Sequence, residues 1–139
     1  MVKIVATAKR TENVQSVVDN SRTHAIVCDL PTASGGTDKG PTALELAVMA
    51  LADCAVTIYS DVAKKSNVEI TEAQVVAEAE KREDAPVITG VKLKVKVSGK
   101  ASERVLRAIW RRTEDNCPVL RIFKDPIPIE AEIEVTSTK

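Results

Sequence analysis

Aromatic side chains are almost missing: Tyr59, Trp110 and Phe123 make up 2 % of 139 residues. Platforms on which nucleic-acid bases stack are therefore not expected. There is one histidine, His24, which excludes multi-histidine metal centres. Charge of one sign is also lacking, with 20 Lys+Arg against 20 Asp+Glu and a net charge of zero. That balance argues against the basic stripe of a nucleic-acid-binding protein. The three cysteines have no Cys-x-x-Cys spacing, so neither zinc nor another metal is expected. They read as reduced thiols and not as a disulfide framework. No charged-then-apolar leader opens the chain, which gives the expectation of a soluble, cytoplasmic protein. A chain of 139 residues suits one domain, residues 1–139, and can bury roughly 68–70 % of its unfolded surface without staples.

What is present is regular patterning. Residues 2–9, 14–19 and 23–30 read as strands, with Asn20-Ser21-Arg22 as a turn. Residues 31–41 form the one Gly/Pro-rich loop. Gly35 and Gly40 mimic the spacing of a phosphate loop, but Pro41 stands where the lysine is needed, so nucleotide binding is not expected. Thr42 to about Ser66 reads as a helix, started by a Thr42–Glu45 capping box and apolar on every side from Leu44 to Ala52. Asp53 and Asp61 break the apolar run below the roughly 18 residues of a membrane span, so no membrane is expected. Ala73, Val75, Ala77 and Ala79, and Val91, Leu93, Val95 and Val97, each alternate with polar residues and read as two long strands. Lys92, Lys94 and Lys96 then make one solvated face. Ser102 caps a helix over 102–115 with a stripe of Val105, Leu106 and Ile109. Ile127, Ile129, Ala131, Ile133 and Val135 alternate with glutamates in a last strand. The order predicts an α+β fold of antiparallel sheets around a buried central helix that carries a cysteine. A helix apolar all round needs more cover than one small chain supplies, which predicts an intertwined homodimer.

Three thiols are available to chemistry. Cys28, in a strand among aliphatics, reads as a packing residue. Cys117 precedes Pro118 at a helix start, where amides and the positive dipole end lower a thiol's pKa, with Arg121 one turn on. Cys54 lies within the apolar helix, where burial raises it, and needs a cation; Arg10, Arg22 and Arg82 are candidates. His24, on a strand face with Ile26 and Cys28, reads as a satisfied, half-buried histidine.

Gly40-Pro41-Thr42-Ala43-Leu44-Glu45-Leu46 and Ala50-Leu51-Ala52-Asp53-Cys54 resemble the first-cysteine helix of the OsmC/Ohr family. Asp115-Asn116-Cys117-Pro118-Val119 resembles its second-cysteine motif, 63 residues on. The stretches Gly35 to Pro41 and Lys81 to Pro86 resemble the YhfA-type branch. The resemblance implies an intertwined homodimer and a thiol peroxidase serving oxidative-stress defence. Cys54 would be the peroxidatic and Cys117 the resolving residue, with a hydroperoxide as substrate and an external dithiol as reductant. No cofactor is implied. Well-studied members pair an arginine from the first strands with a glutamate ten residues before the first cysteine. Here Arg10 or Arg22 would supply the cation, and Glu45 stands nine residues before Cys54, on the opposite side of the helix. That offset suits the capping role and leaves open a second reading, a non-catalytic OsmC-like dimer that binds an apolar small molecule or senses redox state. Met49, Leu51, Val56, Trp110 and Phe123 are the expected walls of an apolar substrate pocket.

Overall fold

The computed structural model describes residues 1–138. It is an α+β fold with two small antiparallel sheets and three α-helices. β1 (Thr7–Glu12), β2 (Gln15–Asp19) and β3 (Ala25–Cys28) form the first sheet in that order. A single 3-10 turn at Thr32–Ser34 leads to α1 (Ala43–Lys65). β4 (Ile70–Lys81) and β5 (Ile88–Gly99) pair as the second sheet, followed by α2 (Glu103–Asn116) and α3 (Pro118–Lys124). The chain groups into two compact units, one of residues 1–53 with 74–96 and one of 54–73 with 97 onward.

The first unit begins with a meander whose turns are written in Asn and Asp chemistry. Asn13, at φ 48°, carries the β1–β2 turn beside an irregularity between Arg10 and Glu12. The β2–β3 turn falls where expected: Asn20 Oδ1 accepts from the amides of Arg22 and His24, and Asp19 Oδ1 from that of Ser21. The registers Thr7↔Asp19 and Ser16↔Cys28 fix both pairings. The first strand is displaced from the expected 2–9. Pairing starts at Thr7 because β2 ends at Asp19, so residues 2–6 have no ladder to join, and Val2 and Ile4 are exposed. His24 is also corrected. It sits in the exposed turn before β3, its Nδ1 3.2 Å from Asn20 Nδ2.

The capping box forms as read: Thr42 Oγ1 accepts from the Glu45 amide at 3.1 Å, and Glu45 Oε1 from the Thr42 amide at 2.9 Å. α1 ends in a Schellman closure. Asn67 adopts φ 56°, with Val68 N donating to Ala63 O and Asn67 N to Lys64 O. Within the chain the helix is not buried all round. Leu51, Ala55, Tyr59 and Ala63, at four-residue steps, are its buried stripe, while Leu44 and Met49 are exposed. Its 23 residues are also long and apolar enough to cross a bilayer by length and composition, since two aspartates alone do not shorten the run below a span.

In the second unit Tyr59, Ala63 and Ile109 form the core, with Val62, Val68, Ile70, Val97 and Trp110 packed against it. The Tyr59 hydroxyl donates to Leu106 O at 2.9 Å, satisfying a buried phenol. Ser102 caps α2 as expected, accepting from Val105 N at 3.2 Å. β4 and β5 alternate half-buried and exposed residues along their length, as their patterns predicted. The last expected strand is absent from the described residues. Residues 126–138 take no regular structure, and Ile129 and Ile133 are 87 % and 89 % exposed. An isolated strand has no partner for its amides and carbonyls, so alternation alone does not form one.

Candidate functional site

All three cysteines are thiols. Cys28 ends β3, buried, opposite Ser16, which fits the packing role. Cys54 and Cys117 both belong to the second unit. Cys54 is half-buried on α1, three residues after the buried Leu51 and one before the buried Ala55, at the flank of the helix's buried stripe.

Cys117 is the single residue between two helices, the C-cap of α2 and the N-cap of α3. Ile109, Thr113 and Cys117 follow one another at four-residue steps as the buried face of α2, and Cys117 is 3 % exposed. The Thr113 hydroxyl donates back to Ile109 O at 2.8 Å, which lets a polar side chain lie in that stripe. Pro118 opens α3, where its fixed φ suits the first turn. Arg121 lies one turn on, its amide donating to Cys117 O at 3.2 Å, while its guanidinium is 3.9 Å from Asp125.

The other candidates are engaged locally. Arg10 Nε donates to Asn13 O at 2.7 Å within the β1–β2 turn. Arg22 is exposed in the β2–β3 turn. Arg82 forms a two-point pair with Asp84, Nε to Oδ1 at 3.0 Å and a terminal nitrogen to Oδ2 at 2.8 Å. Glu45 is held in the capping box. Of the expected pocket walls, Leu51 is sealed in the core, Val56 and Phe123 are half-buried, and Trp110 packs on Ile109 and its neighbours. Met49 lines a cleft, but of a kind that was not foreseen.

That cleft lies wholly in the first unit, with a volume of about 660 Å³. α1 contributes Leu44, Glu45, Val48 and Met49, the second sheet Ala79, Lys81 and Ile88, and the loop before α1 contributes Asp38 to Thr42. Cys54 is not among the residues that line the cleft.

The loop wall is built around Asp29, a buried carboxylate. Asp29 Oδ2 accepts from Thr37 Oγ1 at 2.8 Å and from the amides of Thr37 and Lys39, and Oδ1 accepts from Leu30 N. Burial opposes its ionisation. The Thr37 hydroxyl and the amides of Leu30, Lys39 and Thr37 outweigh that and hold the carboxyl below its ordinary value. A Cβ at Gly36 or Gly40 would overlap the carbonyl oxygens of Leu30 or Val27, so only glycine lets the loop lie this close to β3. Asp29 carried no sequence signal beyond its place next to the glycine-rich loop. Among the described residues no group of His, Cys, Asp or Glu could hold a metal ion.

Comparison with known proteins adds the lineage. None of the curated proteins matches the chain in sequence. Among solved structures, an OsmC-like protein from Mycoplasma pneumoniae superposes with a TM-score of 0.76 at 16 % identity, over 90 % of this chain and 89 % of that one. An OsmC-like protein of unknown function from Vibrio cholerae gives 0.70 at 13 % identity, over 87 % and 93 %. An organic hydroperoxide resistance protein from Legionella pneumophila gives 0.61 at 15 % identity, over 89 % and 90 %. At such identities these likenesses speak for the fold. The model of the OsmC-like protein family matches residues 36–132, a stretch that holds both Cys54 and Cys117, and the chain therefore belongs to that family.

Proposed function

We propose that the protein is a thiol-dependent peroxidase that reduces organic hydroperoxides or hydrogen peroxide. The reading is carried by one observation: Cys54 and Cys117, 63 residues apart, belong to the same compact unit of an OsmC-like chain. In the first step the Cys54 thiolate attacks the O–O bond. Its sulfur takes one oxygen as a sulfenic acid, and the other leaves as an alcohol, or as water from hydrogen peroxide. In the second step Cys117 attacks that sulfur, water leaves, and a disulfide joins the two residues. An external dithiol then returns both thiols to the reduced state, as a cytoplasmic location would allow. The steps need no metal or organic cofactor. The direct test is one equivalent of cumene hydroperoxide added to reduced protein, followed by digestion. A Cys54–Cys117 peptide pair two hydrogens lighter is expected; failure of that pair to form at full peroxide consumption would overturn the assignment of Cys117.

We further propose a homodimer. The support is apolar surface without cover in the single chain: Ile4, Leu44, Met49, Ile129 and Ile133 are all exposed. Isolated surface apolar residues are ordinary, but two alternating terminal segments and one side of the central helix are not isolated. Light scattering at micromolar protein should return the dimer mass, and a monomer mass would refute it.

A second reading has its own observation. Glu45 is spent on the Thr42 amide and stands nine residues before Cys54, so the carboxylate that the catalytic members use is not at the usual offset. That favours a non-catalytic dimer that binds an apolar small molecule or senses redox state.

A further inference from the structure

We infer that the external dithiol attacks the oxidised protein at the sulfur of Cys54 and not at that of Cys117, by the route the hydroperoxide used. The inference rests on the peroxidase reading and fixes where its reducing partner must reach.

A thiolate opens a disulfide by bonding to one sulfur while the other departs from the far side. Two sulfurs are on offer, and access separates them. Cys117 is buried and continues the buried face of α2 after Ile109 and Thr113. It is also the cap of both α2 and α3, so no loop residue separates the two helices and lets its sulfur turn outward. Attack there would leave the reductant bonded to a side chain that faces the interior. Cys54 is half-buried on α1, and Thr57, three residues on, is exposed. Whatever a second copy covers, the peroxide has to reach Cys54, so a path to this sulfur is open in the active assembly.

The stereochemistry of the two displacements points the same way. When Cys117 expels the hydroxyl of the Cys54 sulfenic acid, it comes in opposite the departing oxygen. A thiolate that later expels Cys117 comes in opposite Cys117, at the place which that oxygen left. Hydroperoxide and reductant therefore use one entrance in turn. In the reducing step a bond forms between the dithiol and Cys54, the Cys54–Cys117 bond breaks, and its electron pair leaves on Cys117 as a thiolate. The second thiolate of the reductant then attacks the reductant's own bonded sulfur. That closes a cyclic disulfide and frees Cys54 as a thiolate, so two electrons have passed from the dithiol to the two cysteines.

Glutathione, a monothiol, leaves the product of the first exchange in place long enough to be trapped. Wild-type protein oxidised with one equivalent of cumene hydroperoxide is mixed with glutathione, quenched within seconds by excess N-ethylmaleimide in denaturant, digested and analysed by mass. Glutathione on the Cys54 peptide with maleimide on the Cys117 peptide should exceed the reverse labelling by about tenfold. Reduced native protein gives a second measurement, in which iodoacetamide should alkylate Cys54 about tenfold faster than Cys117. If the Cys54–Cys117 disulfide never forms, the assignment of Cys117 as the resolving residue fails and takes this inference with it. If it forms and glutathione is found on Cys117 as often as on Cys54, this inference alone is overturned. Alkylation of Cys117 as fast as Cys54 overturns it equally.

Discussion

Cys54→Ser should lower hydroperoxide consumption to the rate of the free dithiol. With cumene hydroperoxide in stopped flow and dihydrolipoamide as reductant, the wild-type chain turns over and the variant does not. The reason is nucleophile chemistry. A thiolate is a soft nucleophile, whereas a serine hydroxyl stays protonated and does not attack an O–O bond. Sulfur to oxygen is a small change at a half-buried position, so the fold should survive and the loss can be read as chemical. Cys117→Ser should behave differently. It keeps the first turnover, because Cys54 is untouched, but loses recycling through the disulfide and leaves the sulfenic acid open to further oxidation. A burst of one equivalent followed by a slow phase is the expected trace. Wild-type turnover in the Cys54→Ser variant would end the catalytic proposal and leave the binding reading.

Ile109→Ala should destabilise the second unit by about 2–5 kcal/mol, the usual range for deleting a buried aliphatic side chain. Ile109 is 2 % exposed and forms the core with Tyr59 and Ala63. Val105→Ala, four residues earlier on α2, should cost less than about 1 kcal/mol, because Val105 is already 39 % exposed and has little transfer energy to lose. Urea unfolding of both variants, with equal slopes, is the measurement. Equal losses would mean that a contact outside the single chain covers Val105.

That pair also shows how far sequence reading carries. Val105, Leu106 and Ile109 look alike as one apolar stripe, yet their burial differs because burial depends on the opposing element, which periodicity does not record. Local chemistry was legible. The Thr42–Glu45 box, the Ser102 cap, the Asn20 turn and the alternating β4 and β5 all depend on neighbours in the chain, and all stand where they were read. Features that need a distant partner were not. The alternation at Ile127–Val135 marks a face ready for burial and says nothing of what buries it. Asp29 reads as one more acidic residue until the fold brings Thr37 and the Lys39 amide to it. The two cysteines were found through resemblance, and the cleft at the head of α1 was not found at all.

The junction of α2 and α3 constrains the last helix. Among residues 117–125, Cys117 alone is fully buried, and α3 itself buries no side chain. The Cys117 sulfur is thus the one fully buried anchor beside the half-buried Val119, Leu120 and Phe123 of α3. Withdrawing it from the interior, to meet another sulfur or to bear added oxygen, would pull on the first turn of α3, because no slack chain separates it from α2. The side chain that is asked to react is also the cap shared by both helices.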